Sequence, residues 1–241
     1  MQLVNELIQK LKEITDEKQI KEFLYQLLDI LNVDYYLFAL TFPYSMNKSD
    51  SLVITNYPGN WVKRYENKKL IEVDPITSHV AKYNSPIFWD QLQDSEMEEI
   101  KSIGKGFFPE GHTGVTLPLH GNSVGFGLLS LSLCLNNFKS KKVLQKALFT
   151  AQLLSPYLQD AARRVKQQKT ANETKLTKRE TECLTWATEG KSAWEISQIL
   201  NCAERTVTFH LVNATLKLNC INRYQAIAKA IITGVITPRV L

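Results

Sequence analysis

A short run of polar and aromatic residues, 56–79, contains the side chains of this sequence that are best suited to binding chemistry. It holds Tyr57, Trp61, Tyr65 and Asp74. Small-molecule pockets are mostly apolar and fix their ligand with a few polar groups, which is the mixture found here. Taken singly, the aromatic residues would be ordinary core residues and Asp74 a helix cap. As a spaced set, they favour a ligand pocket.

Catalysis is the alternative use of these residues, with Asp74 acting together with His79 or His112. The sequence has no histidine cluster of the metal-hydrolase type, no GxSxG motif and no N-terminal nucleophile. Its four cysteines form no CxxC pair, so neither a zinc site nor a disulfide framework is expected, and they are predicted to be buried, reduced thiols. We therefore predict no catalytic residue, no metal and no cofactor.

Length and charge indicate two domains with different partners. The 241 residues exceed the roughly 100 to 200 of one typical domain. From Thr174 onward the chain has nine Lys and Arg against five Glu, so this short segment carries four of the five net positive charges. A small basic module behind a nearly neutral one is typical of a nucleic-acid reader attached to a domain with another task.

Membrane insertion and export are not expected. No apolar run approaches the roughly 18 residues that a membrane span needs. The N-terminus lacks a basic stretch before an apolar core and has no small-residue cleavage site, so it is not typical of a signal peptide. We predict a cytoplasmic protein without a membrane partner.

The elements that must position the polar-aromatic run are helices around a mostly antiparallel sheet. The run itself should end in a helix that begins near Asp74, because Asp at the N-cap followed by Pro75 is the usual helix start. Helical and strand periodicities together predict an N-terminal α/β/α sandwich. Helices are predicted over the leucine-rich segments 3–14 and 20–31 and over 95–106 and 141–166, and strands over 34–42, 51–57, 85–89 and two stretches of 113–134, with a loop at 43–50.

The C-terminal segment is predicted to be all helical. We place domain boundaries at 1–166 and 176–241, with the polar, aperiodic residues 167–175 as a linker. Capping boxes at Thr177 and Ser192 start two helices, and the turn "NCAE" leads into a third that contains "RTVTFHLVNATLKLN". Two helices joined by so short a turn, inside a basic four-helix module, indicate a helix-turn-helix.

This segment resembles the DNA-binding domain of LuxR/NarL (GerE-type) regulators. The pattern "LTxRE", "EGKSxxEI" and "TVxxH" followed by "KL" is met in order between Leu176 and Leu218. The resemblance implies that Thr208, Phe209 and Val212, flanked by Asn213 and Arg205, approach base edges. The residues expected to contact phosphate are Lys178, Arg179, Lys191, Arg205 and Lys217. Relatives often carry Lys or Arg at the positions of Thr208 and Val212, so guanine readout by a cation is not expected there.

The first 165 or so residues are similar to the autoinducer-binding domain of the LuxR family, whose members are receptors for N-acyl-homoserine lactones. The motifs are "NYPxxW", "DP" at Asp74, "PIFW", the glycine of "GVTLPLHG" and "LSLS". A phosphorylatable receiver domain is excluded because it would alternate strands with helices around an early acidic pair. The chain is therefore identified as a member of the LuxR family of quorum-sensing transcriptional regulators.

The family resemblance assigns roles to the polar-aromatic run. Trp61 would donate to the lactone carbonyl and Asp74 would accept the amide N–H of the ligand. Tyr57 and Ser130 would donate to the amide carbonyl. Trp89 would pack on the lactone ring, and Tyr65 would line the acyl channel.

The same resemblance implies a mechanism and partners. A lactone would complete the core, favour a homodimer built on the helix 141–166, and so promote binding to two-fold symmetric double-stranded DNA. RNA polymerase is a further candidate partner. Val62 and Ile76 stand where some relatives have arginine and threonine, which favours an acyl chain without a 3-oxo group. A different small molecule, or none, remains the alternative. The residues Ala226, Ile227 and Ala230 lie either at a dimer face or within the module.

Overall fold

The computed structural model describes residues 2–59, 62–63, 74–92, 112–121, 124–134, 140–169 and 175–237. The chain divides into two compact units: residues 1–41 and 51–168 form the first, and residues 42–50 and 169–241 form the second. The predicted helix at 95–106 lies outside the described residues.

The helices of the first unit follow the apolar periodicities of the sequence. Asp16 caps α2 by accepting a hydrogen bond from the Gln19 backbone N–H at 2.9 Å. Asn32 ends the same helix in a left-handed conformation, at φ 54°. The helices are α1 (Gln2–Glu13), α2 (Glu17–Leu31), α3 (Pro75–Lys82) and the long α4 (Ser140–Lys169).

The centre of the first unit is a five-stranded sheet, whose first two strands run on into residues 42–50 of the second unit. Its strands are β1 (Tyr35–Ser45), β2 (Lys48–Thr55), β3 (Ile87–Phe88), β4 (His112–Gly121) and β5 (Val124–Cys134). Their order across the sheet is β2-β1-β5-β4-β3, and the β1–β5, β5–β4 and β4–β3 pairs are antiparallel.

Two strand boundaries differ from the sequence prediction. The expected loop at 43–50 is wrong, because β1 and β2 continue into it and leave only Met46 and Asn47 between them. Pairing with a neighbouring strand satisfies backbone groups that polar, turn-forming residues would otherwise leave to solvent. The expected strand at 85–89 is confirmed only for Ile87–Phe88, since Trp89 begins a 3-10 turn (Trp89–Gln91).

Side chains alternate between the two faces of the sheet, and both faces carry buried residues. One face carries large apolar residues from three strands, all within 6% exposure: Tyr36, Phe38, Leu40, Val115, Leu117, Leu119, Leu129, Leu131 and Leu133. The apolar stripes of α1, α2 and α4 are buried as well, as expected for helices that form a layer against a sheet. The guanidinium of Arg164 in α4 ties two of them together by donating to the backbone oxygens of Leu11 and Lys12 in α1. The predicted sandwich is confirmed.

The opposite face packs against α3. Ile76 and Val80 of that helix form a cluster with Leu128 of β5, and the half-buried Leu37 and Ala39 of β1 pack against it. The N-cap of α3 is Asp74, whose Oδ1 accepts a hydrogen bond from the Ile76 backbone N–H at 2.8 Å. The helix start predicted from Asp-Pro is therefore confirmed, and it brings the end of the polar-aromatic run onto this face.

The described residues of the second unit form four helices: α5 (Lys178–Thr188), α6 (Ala193–Leu200), α7 (Glu204–Lys217) and α8 (Arg223–Ile232). Both predicted capping boxes are confirmed, and Asn201, at φ 50°, begins the short turn between α6 and α7. The core unites Cys183 and Leu184 with Val207 and Leu211. Ala226 and Ala230 are fully buried in this core, so they pack within the module.

The predicted end of the first domain, residue 166, does not coincide with the end of a helix in the structure. Helix α4 continues to Lys169, three residues beyond its predicted end at Lys166, so the predicted linker 167–175 begins with a helical turn. The domain limits 1–166 and 176–241 stay a prediction.

Candidate functional site

The α3-facing side of the sheet carries a cluster of polar residues at its centre. Antiparallel pairing sets Thr116 of β4 opposite Ser130 of β5, and Gly114 opposite Ser132. These side chains point the same way because residues two apart on a strand share a face. Thr116, Ser130 and Ser132 are all at least 96% buried. Hydroxyls buried within an apolar cluster are costly unless they are hydrogen-bonded, so their partners define the site.

A chain of hydrogen bonds runs across this face. The indole Nε1–H of Trp89 donates to Thr116 Oγ1 at 3.0 Å, and Thr116 Oγ1 lies 2.8 Å from Ser130 Oγ. Gly114 leaves room for the indole: a Cβ at this position would lie 2.7 to 2.8 Å from three ring atoms of Trp89. The predicted ligand residues Trp89 and Ser130 are therefore joined through Thr116.

A second buried hydrogen bond joins the polar-aromatic run to β5. Tyr57 Oη lies 2.6 Å from Ser132 Oγ, and the Tyr57 ring stacks on Tyr35 with centroids 5.0 Å apart and ring planes 8° from parallel. Burial raises the pKa of Tyr57 above its usual value, and the hydrogen bond with Ser132 opposes this only in part. The phenol therefore stays protonated at physiological pH.

Asp74 places a carboxylate at the same face. The residue is 8% exposed, and its Oδ1 caps α3. A carboxylate offers about four lone-pair directions, so capping one helix does not use up its capacity to accept hydrogen bonds. The expectation that Asp74 is a helix cap is thus confirmed without excluding a second role.

The structure brings together four of the six predicted ligand residues on one side of the sheet: Tyr57, Asp74, Trp89 and Ser130. Trp61 and Tyr65 lie outside the described residues. Sequence reasoning missed Thr116 and Ser132, although both were accessible from the pattern. Each lies on the same strand face as a noted residue, since Ser132 follows Ser130 by two positions and Thr116 follows Gly114 by two.

Helix α7 of the second unit has an exposed side that carries the residues predicted to approach base edges. Val207 and Leu211 face the core, whereas Thr208, Phe209 and Val212 point outward. Phe209 is 61% exposed and Val212 is 52% exposed, so both offer apolar contacts on the outer side of the helix. Asn213 is half-buried beside them. The three residues expected at base edges therefore share the accessible side of one helix.

The predicted phosphate contacts divide into two groups. Lys178, Arg179 and Arg205 are exposed and Lys191 is half-buried. Arg179 forms an ion pair with Glu182, three residues on, and Lys191 forms one with Glu195, four residues on. Lys217 differs, because its Nζ lies 2.8 Å from Oε2 of the buried Glu180. Its ammonium is directed into the module.

The described residues hold no group of three or more potential metal ligands among His, Cys, Asp and Glu. No helix in the described part of the chain is both long enough and apolar enough to cross a membrane. All four cysteines are free thiols, but only Cys183 is fully buried, so the predicted burial is wrong for the other three.

A hydroxyl-lined apolar face in one unit and a helix-turn-helix in the other define the class of protein: a ligand-responsive, DNA-binding transcriptional regulator. Comparison with known proteins agrees with this architecture. The family model for the autoinducer binding domain matches residues 16–162. The family model for bacterial regulatory proteins of the luxR family matches residues 174–230.

Relatives match along nearly the whole chain. The transcriptional activator LuxR of Aliivibrio fischeri is 39% identical over 95% of this chain and 93% of its own length, and VanR of Vibrio anguillarum is 36% identical over 96% and 97%. The crystal structure of Escherichia coli SdiA superposes with a TM-score of 0.76 at 26% identity, covering 98% of this chain and 99% of that one. SdiA in complex with octanoyl-rac-glycerol gives 0.79 at 26% identity, over 97% and 95%. The chain belongs to the LuxR family of transcriptional regulators.

Proposed function

We propose that this regulator binds an N-acyl-homoserine lactone on the α3-facing side of its sheet, dimerises in response, and then occupies a two-fold symmetric promoter site. The observation that carries the proposal is the buried chain from Trp89 through Thr116 to Ser130. Tyr57 and Asp74 supply the remaining polar contacts, and Trp61 and Tyr65 keep the roles that the family resemblance gives them.

The indole N–H fixes one end of the hydrogen-bond chain. It can only donate, so Thr116 Oγ1 accepts from Trp89. Thr116 Oγ1 lies 2.8 Å from Ser130 Oγ, and either hydroxyl can be the donor. We propose that Thr116 donates, which leaves Ser130 its own hydrogen for a ligand. A hydroxyl so arranged recognises an acceptor atom such as a carbonyl oxygen.

Donors and an acceptor together match an amide. Ser130 and the protonated Tyr57 can both donate to a carbonyl oxygen, and the Asp74 carboxylate can accept an N–H. The neighbouring cluster of Ile76 and Val80 is apolar and suits a hydrocarbon chain. Neither Val62 nor Ile76 carries a side-chain donor, so we propose an acyl chain without a 3-oxo oxygen. A ligand with an amide head group and an acyl tail would match both the polar residues and the apolar cluster on this side of the sheet.

Ligand binding supplies the switch by mass action. A ligand that binds only the folded state stabilises it in proportion to its concentration over its dissociation constant. Buried hydroxyls and a buried carboxylate are more costly without a polar ligand than with one, because each net hydrogen bond contributes roughly 0.5 to 1.5 kcal/mol. We therefore expect the lactone to raise the stability of the first unit and the fraction of chain able to bind DNA.

A second candidate ligand is a monoacylglycerol. The support is the similar fold of SdiA, whose structure is described in complex with octanoyl-rac-glycerol. An ester carbonyl would accept from Ser130 and Tyr57, and a glycerol hydroxyl could replace the amide N–H at Asp74. The two ligands share an acyl chain and a carbonyl and differ in the group that donates to Asp74.

The decisive experiment measures thermal unfolding of the purified full chain with N-hexanoyl-, N-octanoyl- and N-dodecanoyl-homoserine lactones and with 1-octanoyl-glycerol. We expect at least one lactone to raise the melting temperature, and Asp74→Asn to abolish that rise. Asp29→Asn, at an exposed position of α2, is the matched control and should respond as the wild type does. Stabilisation by the glycerol ester alone would select the second candidate, and stabilisation by no compound would refute both.

Dimerisation is proposed through α4. This helix exposes Phe149 to 69% and Leu153, one turn later, to 59%, whereas Leu144 and Leu154 are buried on its other side. Two large apolar residues at i and i+4 form a continuous exposed stripe that a second copy could cover. Phe149→Ser/Leu153→Ser should convert a lactone-loaded dimer into a monomer by sedimentation, without lowering its melting temperature.

The second unit is proposed to read DNA with α7. Thr208, Phe209, Val212 and Asn213 would approach base edges, and the exposed Lys178, Arg179, Lys191 and Arg205 would contact phosphates. RNA polymerase is a proposed partner, since relatives are named as transcriptional activators. A cytoplasmic location follows from the same assignment.

We also propose that the protein does not turn over its ligand. In the enzyme alternative, Asp74 would act with His79 or His112, but His79 Nε2 lies 2.8 Å from the Ser85 backbone oxygen and the His112 ring packs edge-on against Tyr35. Incubation with a lactone should leave it intact by mass spectrometry. Ring opening or release of the acyl chain would overturn this.

A further inference from the structure

The C-terminal end of α7 is held by an ion pair between a half-buried lysine and a buried glutamate of the DNA-binding module. Lys217 Nζ lies 2.8 Å from Glu180 Oε2, and the two side chains are 25% and 4% exposed. The same oxygen, Oε2, accepts the backbone N–H of Thr177 at 2.7 Å, and this contact is half of the capping box of α5. Glu180 therefore joins the start of α5 to the end of α7.

A second lysine secures the same end. Lys229 of α8 donates from Nζ to the backbone oxygen of Leu218, the C-cap of α7, at 2.8 Å. A cation at this end of a helix also interacts favourably with the helix dipole. The two lysines fix the last turn of α7 against α5 and α8.

The electrostatics favour a charged pair. Burial by itself raises the pKa of Glu180, but hydrogen bonds from Lys217 and Thr177 outweigh burial and hold that pKa below its usual value. Removing one partner of a buried pair leaves an uncompensated charge, which is far more disruptive than removing both. The pair is therefore sensitive to changes in either partner.

We propose that Glu180 and Lys217 are positioning residues for DNA recognition: they set the placement of α7 on the module, and Lys217 does not contact phosphate. This inference rests on DNA binding by the second unit, and it removes Lys217 from the phosphate contacts expected from the sequence. The remaining exposed cations, including Arg205 at the other end of α7, supply the phosphate contacts. Arg205 has no acceptor among the described residues and is exposed.

Salt dependence distinguishes the two roles of a lysine. Each phosphate contact contributes about 0.9 to the slope of log affinity against log salt concentration. A positioning residue changes affinity without changing that slope. Its loss should weaken binding by a factor of about 5 to 150, the range associated with one base contact.

The test uses the full chain loaded with whichever compound stabilises it, and a duplex selected from a random-sequence library with the wild type. Lys217→Met should bind this duplex about 5- to 150-fold more weakly with an unchanged salt slope. Arg205→Met, on the same helix, is the control and should lower the slope by at least about 0.9. Lys217→Arg, which keeps the charge, should recover most of the affinity.

Glu180→Gln should change DNA affinity in opposite directions for the two roles of Lys217. If Lys217 contacted phosphate, removing its internal partner would leave DNA affinity equal or higher. If the pair positions α7, Glu180→Gln should weaken binding, and the double variant Glu180→Gln/Lys217→Met should be no weaker than Lys217→Met alone. The double variant also leaves no unpaired buried charge, so it decides the matter if Lys217→Met fails to fold.

Two results would overturn the inference: a lower salt slope in Lys217→Met, or wild-type affinity in Glu180→Gln. Absence of any selected duplex for the wild type would instead refute DNA binding itself.

Discussion

Replacing Thr116 by valine removes the central hydroxyl of the candidate ligand face and changes almost nothing else. Valine has the same branched shape as threonine and the same preference for strands. The substitution deletes two hydrogen bonds, one from Trp89 Nε1 at 3.0 Å and one with Ser130 Oγ at 2.8 Å. Thr116 is fully buried, so the strand around it gains no exposure to water.

The expected cost follows from these two contacts. A buried intramolecular hydrogen bond contributes about 0.5 to 1.5 kcal/mol net, so the pair should contribute about 1 to 3 kcal/mol to the free energy of unfolding. For a unit of this size, each 1 kcal/mol lowers the melting temperature by roughly 2 to 4 °C. We therefore expect Thr116→Val to melt about 2 to 12 °C lower. We also expect a weaker response to lactone, because Ser130 loses the hydrogen-bond partner that orients its hydroxyl.

The assay is chemical and thermal denaturation of the full chain, with and without N-octanoyl-homoserine lactone. Thr113→Val is the matched control, since Thr113 is a half-buried threonine on the opposite face of the same strand. A double-mutant cycle with Ser130→Ala should show that the two changes together cost less than their sum, because both remove one shared bond. If Thr116→Val and Thr113→Val differ by less than about 0.5 kcal/mol, the hydrogen-bond chain has no energetic role and the argument fails.

Three further outcomes are expected. Gly114→Ala should lower the unfolding free energy by about 1 to 3 kcal/mol and remove the lactone response, because the new Cβ would lie 2.7 to 2.8 Å from the Trp89 ring; a wild-type melting curve would contradict this. Arg164→Met should destabilise the first unit by roughly 1.5 to 3 kcal/mol in chemical denaturation, because the Arg164 guanidinium donates at 2.6 and 3.2 Å to two backbone oxygens near the end of α1. Lys142→Met, at an exposed position of the same helix, should leave the unfolding free energy unchanged. The pKa of Glu180 is lowered from 4.5, so its contribution to the stability of the second unit is present above about pH 4.5 and is lost as the pH falls through the folded-state pKa. Denaturation curves between about pH 7 and pH 3 should show this loss. In Glu180→Gln, the unfolding free energy should depend less on pH over the same range.

The sequence was most informative where local chemistry decides the structure. Asp74 followed by proline fixed the start of α3, and the capping boxes at Thr177 and Ser192 fixed two helices of the second unit. A cap is formed by residues three apart, so its partners are visible in a single line of sequence. The boundaries of β1 and β2 were missed because strand pairing depends on a partner that lies elsewhere.

The candidate site shows the same division between local and distant information. Tyr57, Asp74, Trp89 and Ser130 could be named from the sequence by type and motif. Their connections could not, because a hydrogen bond between neighbouring strands depends on register. The register of β4 against β5 sets Thr116 opposite Ser130. A shift of one residue would turn the side chains of one strand to the other face of the sheet and break the chain of hydroxyls.

The sequence by itself determined the two-domain organisation, the helix-turn-helix and the residue types of a polar head-group site, since each rests on spacing within one segment. Only the tertiary structure decided that Thr116 links Trp89 to Ser130 and that Lys217 turns inward to Glu180, 37 residues away in sequence. The sequence pattern around a helical lysine is the same whether the lysine contacts DNA phosphate or a buried carboxylate. The packing of α7 against α5 makes that choice, because it brings Lys217 Nζ to 2.8 Å from a carboxylate that burial would otherwise leave poorly compensated.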